Sequence, residues 1–169
     1  MSSLVQRHFC RGFTVTELVI SVTIMATLAA IAVPSFRNAT LASELRASAN
    51  GLLAGTRLAR SEAIKRSATV TMCPSSTGRG CTATGWQAGW IIVSGGDVIH
   101  FEPPARQGLT ISEANGATAL SFPAWGAGVT PAAFTICRHA PSAGHEERVV
   151  NLNATGRASV TRTVRGACA

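Results

Sequence analysis

Residues 13–33 read FTVTELVISVTIMATLAAIAV, a run of twenty-one almost wholly apolar positions. At about 1.5 Å per residue, a helix over this run is roughly 30 Å long, the thickness of a bilayer's hydrocarbon core. The preceding residues, MSSLVQRHFCRG, carry Arg7 and Arg11 and no acid. A basic flank of this kind stays cytoplasmic, so the rest of the chain is expected to face outward. Glu17 breaks the apolar run near its start. An ionised carboxylate at membrane depth costs about 3 kcal/mol or more, so it is expected to be functional or paired. The competing reading is a secretory signal cut after Ala30-Ile31-Ala32. Such a signal has an apolar stretch of about 7–15 residues, shorter than this one, and a plain anchor gains nothing from Glu17.

Gly12-Phe13-Thr14-Val15-Thr16-Glu17-Leu18-Val19-Ile20 resembles the type IV prepilin signature: a short basic leader ending in Gly, then Phe, then Glu as fifth residue after the cut, then a long apolar helix. The resemblance implies cleavage after Gly12 by prepilin peptidase and methylation of the new Phe13 amine. It also implies that Glu17 pairs with the N-terminal amine of a neighbouring subunit as a filament assembles, and that Pro34 kinks the helix. The expected organisation is a leader at 1–12, a transmembrane helix at 13–33, an amphipathic continuation at 34–67 and a β-rich domain at 68–169.

Cleavage would change the cysteine arithmetic. Of five cysteines, Cys10 lies in the leader, leaving Cys73, Cys81, Cys137 and Cys168 in an oxidising compartment. Four cysteines allow three pairings. Cys73–Cys81 would close the short turn-rich loop CPSSTGRGC, and Cys137–Cys168 would tie the last residues to an earlier strand. A zinc site from Cys73, Cys81, Cys137 and His139 lacks the close Cys-x2-Cys spacing of a zinc knuckle.

Beyond Pro34 the pattern predicts a helix to about Arg66, with Leu41, Leu45, Ala49, Leu52, Ala59 and Ala63 on one apolar face. Gly51 and Gly55, one turn apart, mark either close packing or a fraying stretch. From residue 68 the period changes to two. Strands are expected at 68–73, 86–93, 97–101, 109–112, 118–122, 132–137, 148–152 and 158–164, punctuated by Gly, Pro, Ser and Asn. A helix followed by many short strands reads as an α+β fold, the helix packed on antiparallel sheet. Trp86 and Trp90 would share one face of strand 86–93; these two and Trp125 read as core or interface aromatics, core being favoured over a base-stacking platform, which needs exposed rings beside basic residues. Glu146-Glu147 beside His145 reads as a solvated loop.

Val70-Thr71-Met72-Cys73-Pro74-Ser75, Cys81 and Trp86-Gln87-Ala88-Gly89-Trp90-Ile91-Ile92-Val93 resemble the GspH/FimT subgroup of minor pilins and pseudopilins. Phe134-Thr135-Ile136-Cys137 and Asn153-Ala154-Thr155-Gly156-Arg157 fit the same subgroup. The type IV pilin-like fold is implied, with other pilin or pseudopilin subunits, prepilin peptidase and the bacterial inner membrane as partners. The domain after the helix would be periplasmic and would end in a pilus, or in the pseudopilus of a type II secretion system.

No phosphate-binding loop, nucleophile elbow or metalloprotease helix is present, so no enzyme, cofactor or metal is expected. Fourteen of the fifteen basic residues are Arg, and the formal charge is +7. Arg148, Arg157, Arg162 and Arg165 follow Glu147 with no further acidic side chain. Some FimT-like pilins are DNA receptors in natural transformation and carry Gly-Arg-x-Arg near the C-terminus. Here Gly156-Arg157-Ala158-Ser159 has Ser in place of the second Arg. The resemblance therefore suggests double-stranded DNA as a further partner of Arg157, Arg162 and Arg165, through phosphate contacts.

Overall fold

A computed structural model describes residues 13–127, 129–139 and 146–164. Cys10, Gly12, His145, Arg165 and Cys168 lie outside the described residues. Helix α1 spans Val15–Arg66. It starts where Thr14 Oγ1 accepts the Glu17 backbone N–H at 3.2 Å, satisfying one of the donors that a helix start leaves free. It ends at Ser67, whose φ is 50°. There Ser67 N–H donates to Ile64 O and Ala68 N–H to Ala63 O, both at 3.2 Å, the paired closure of a Schellman cap. Pro34 lies inside the helix, where it has no N–H to offer the Ala30 carbonyl.

The chain divides into two compact units between Ala39 and Thr40. In the first, every described residue is exposed. In the second, Leu45, Ala49, Leu52, Gly55, Thr56, Ala59 and Ala63 of α1 are buried, a stripe at the alternating three- and four-residue spacing of one helix face.

That stripe packs against strands β1 (Val70–Pro74), β2 (Trp90–Ser94), β3 (Asp97–Glu102), β4 (Leu109–Glu113), β5 (Leu120–Phe122), β6 (Ala132–Arg138), β7 (Glu147–Leu152) and β8 (Ala158–Thr163). They form two four-stranded sheets, ordered β3-β2-β1-β5 and β4-β6-β7-β8, with every pairing antiparallel. The fold is α+β, as the change of period indicated. The strand expected at 86–93 is different. Trp86–Ala88 is a turn of 3-10 helix, and β2 begins at Trp90. Gly89 between them has φ 100°, and a Cβ there would lie 2.8 Å from Glu102 O and from Ser75 O. A left-handed residue pressed against backbone interrupts a strand. Trp86 and Trp90 thus reach the core from two elements rather than from one strand face.

Trp86 donates its Nε1–H to Ala117 O at 2.9 Å and meets Phe134 edge-on, with centroids 4.8 Å apart. Trp90 lies across the helix at Gly55. A Cβ on Gly55 would come within 2.3 Å of Trp90 Cη2, so this glycine permits close packing. Gly51 has no such role, its nearest neighbour being Glu102 Oε1 at 3.5 Å.

Candidate assembly segment and arginine sites

The first unit presents apolar side chains on every face of its helix. Phe13, Leu18, Ile20, Met25, Leu28 and Ile31 are all more than half exposed. By length and composition this helix can cross a membrane: its most apolar eighteen-residue window has a mean hydropathy of 2.1 and none of it is buried. Three of its hydroxyls are satisfied by the preceding turn. Ser21 donates to Glu17 O and Thr23 to Val19 O, each at 2.7 Å, and Thr27 donates to Ile24 O at 2.8 Å. Back-bonding of this kind removes the cost of a hydroxyl in hydrocarbon. Glu17, in the first turn, has no ion-pair partner among the described residues.

Cys73 and Cys81 form a disulfide with Cα atoms 5.5 Å apart, which takes two of the four donors of the zinc alternative. Cys137 is also disulfide-bonded, and its expected partner Cys168 lies outside the described residues. His139 Nδ1 is 3.2 Å from Thr110 Oγ1.

The arginines near the C-terminus do not act alike. Arg162 Nε contacts Glu146 Oε1 at 2.9 Å, and Arg148 Nη2 contacts the same oxygen at 3.0 Å. The Glu146-Glu147 pair is therefore not a solvated loop. Glu147 is buried and accepts a hydrogen bond from Thr163 Oγ1 at 3.1 Å. Both carboxylates are held because β7 and β8 pair Arg148 with Arg162 and Glu147 with Thr163. Arg157, by contrast, is exposed and lines a groove with Arg57 and Arg60 of α1. These two helical arginines were missed as partners of Arg157, since no signal links positions about a hundred residues apart. Trp125 corrects the expectation of three core tryptophans: it is 75% exposed, against 4% for Trp86 and 3% for Trp90.

The family described as "Type II transport protein GspH" matches residues 48–156, and that described as "Prokaryotic N-terminal methylation motif" matches residues 7–33. No curated protein sequence is similar enough to count as a match. The structure is similar to the type IV minor pilin FimU of Pseudomonas aeruginosa, at 24% identity over 70% of this chain and 89% of that one, with a TM-score of 0.56. A second crystal form of FimU gives 23% identity over 69% of this chain and 92% of that one, with a TM-score of 0.51. It is also similar to the minor pseudopilin EpsH of the type 2 secretion system of Vibrio cholerae, at 18% identity over 73% of this chain and 98% of that one, with a TM-score of 0.51. At these identities the likeness establishes the fold, and neither family nor fold is that of an enzyme. The match over residues 48–156, together with the methylation motif ahead of it, shows that the chain belongs to the GspH family.

Proposed function

We propose that this chain is a FimT-like minor type IV pilin that helps to initiate or cap pilus assembly and binds DNA for natural transformation. Prepilin peptidase cleaves after Gly12, and the Phe13 amine is methylated. The 13–33 helix then holds the subunit in the bacterial inner membrane, with the β-rich domain in the periplasm, until it enters the filament. Two disulfides, Cys73–Cys81 and Cys137–Cys168, brace that domain. The observation that carries the assembly reading is Glu17. The neighbouring hydroxyls are satisfied within the helix, while this carboxylate sits in an exposed apolar helix with no cation paired to it among the described residues. The α-amine of a neighbouring subunit would supply that cation in a low-dielectric filament core.

The test is the amount of subunit in sheared pili. Glu17→Ala relieves a desolvation cost, so the variant should reach the membrane in wild-type amounts but be depleted from filaments. Wild-type amounts in sheared pili would refute the role. A second reading, a minor pseudopilin of a type II secretion system, is favoured by the description of the matching family. It predicts loss of secretion rather than of pili when the subunit is removed.

A further inference from the structure

Three elements meet beside the second half of α1. Arg60 Nε donates to Gly126 O at 2.8 Å. A Cβ on Gly126 would lie 2.6 Å from Ile64 Cδ1, and one on Gly156 would lie 2.8 Å from Gly126 O. Gly156 also has φ 74°, in the turn where Asn153 Oδ1 accepts the backbone N–H groups of Thr155 and Arg157 at 3.1 and 2.9 Å. The β7–β8 turn thus lies against the backbone of the β5–β6 loop, and the helix reaches that loop through the Arg60 and Ile64 side chains. Between the turn and the helix lies an open groove of about 330 Å³, lined by Arg57, Arg60, Arg157, Ser61 and Ile64 and by no acidic residue.

Here three uncompensated arginines are gathered at one groove, while six other basic side chains are paired. Glu44 takes Arg106 and Arg138, Glu146 takes Arg148 and Arg162, and Glu62 takes Lys65 and Arg66. Glu62 is two residues from Arg60, about 200° round the helix, and the Arg66 hydrogen bond, ahead of Lys65, holds its carboxyl below the usual carboxylate range. Arg57, Arg60 and Arg157 form no ion pair among the described residues, and Arg60 keeps its terminal nitrogens after bonding Gly126 O. Trp125 is covalently adjacent to Gly126 and 75% exposed.

We infer that this groove binds single-stranded nucleic acid, with backbone phosphates on Arg57, Arg60 and Arg157 and a base stacked on Trp125. The inference rests on the DNA-binding reading above and assigns it a different form of DNA and, apart from Arg157, different residues. Guanidinium groups bind phosphate bidentately. An exposed indole on the residue next to Gly126, whose carbonyl Arg60 holds, offers a base what a duplex cannot use, since a duplex hides its base faces, and what an acidic peptide does not need. Arg162 is ranked below these three because Glu146 offsets part of its charge.

The experiment uses the full chain in detergent micelles, with a fluorescent oligothymidylate read by anisotropy. A duplex of equal length and polyglutamate serve as competitors. Three phosphate contacts on a single strand predict a log-affinity against log-salt slope near −2, about −0.7 for each phosphate. Arg57→Gln and Arg157→Gln should each flatten it by about 0.7, while Arg162→Gln leaves it unchanged. Trp125→Ala should weaken binding by about five- to a hundred-fold without altering the slope, and Trp125→Phe should restore most of the loss. Since Trp125 is exposed, its replacement leaves the core intact. Wild-type affinity in Trp125→Ala overturns the inference, as does displacement by polyglutamate that ignores Trp125, which would mark an interface for an acidic protein. Preferred binding of the duplex through Arg162 and Arg165 also overturns it, but leaves the DNA-binding reading standing. Binding of neither form of DNA removes both.

Discussion

Gly51 and Gly55 are one turn apart in α1, yet Ala should have opposite effects at the two positions. At Gly55 a Cβ would lie 2.3, 2.7 and 3.2 Å from three atoms of the Trp90 ring. Carbon atoms in good contact are about 3.5–4.0 Å apart, so ring and helix must separate by about 1.2 Å. Trp90 is 3% exposed and has the His100 ring on it at 5.3 Å. A rigid indole in that position cannot escape by changing rotamer alone. Overpacking costs about 1–3 kcal/mol, and the upper end applies at such close approach. Replacing a helical Gly by Ala returns about 1 kcal/mol, so Gly55→Ala should destabilise by about 2 kcal/mol net. In a chain of this length that lowers Tm by about 4–8 °C. Gly51→Ala meets only Glu102 Oε1 at 3.5 Å, so the helix preference acts alone and Tm should rise by about 2–4 °C. Thermal unfolding of the full chain in detergent, followed by near-UV circular dichroism of the tryptophans, reads both. A Gly55→Ala variant melting at or above wild type, or a Gly51→Ala variant falling equally far, would refute the packing argument.

Ser67 holds a left-handed conformation at the helix end, which costs an L-residue about 1–2 kcal/mol; after the entropy of a freer unfolded chain, Ser67→Gly should stabilise by about 0.5–1 kcal/mol in the same melt. Mass analysis of membrane-extracted protein should find an N-terminus at Phe13 carrying one added methyl group; a start at Val33 would instead mark a secretory signal. Non-reducing peptide mapping should recover Cys73 joined to Cys81 and Cys137 joined to Cys168, and a different partner for Cys137 would overturn the proposed bracing of the C-terminal residues.

The sequence by itself determined what depends on local order along the chain. A twenty-one-residue apolar run needs no tertiary information to read as a membrane-competent helix, and the one carboxylate within it stands out from composition alone. The leader motif is contiguous too. The stripe from Leu45 to Ala63 and the alternation beyond residue 68 both follow from the geometry of their own elements. Even the Cys73–Cys81 disulfide closes over a short loop. Only the tertiary structure decided which strands became neighbours. β1 takes β5 as well as β2, and β4 takes β6 rather than β5, choices made by burial of whole faces and not by any one segment's pattern. The GLLAG segment alone is compatible with close packing and with fraying, and Trp90 against Gly55 decides for packing. The strand expected at 86–93 is cut at Gly89, whose φ is 100° and whose missing side chain leaves room for carbonyls of two other segments. The arginines show the limit most plainly. In sequence, Arg157 and Arg162 are five residues apart and look equivalent. In the fold, Glu146 claims Arg162 through the β7–β8 pairing, while the same hairpin's turn carries Arg157 to Arg57 and Arg60. An ion pair depends on distance in space, and only packing brings positions 57, 60, 125 and 157 to one place.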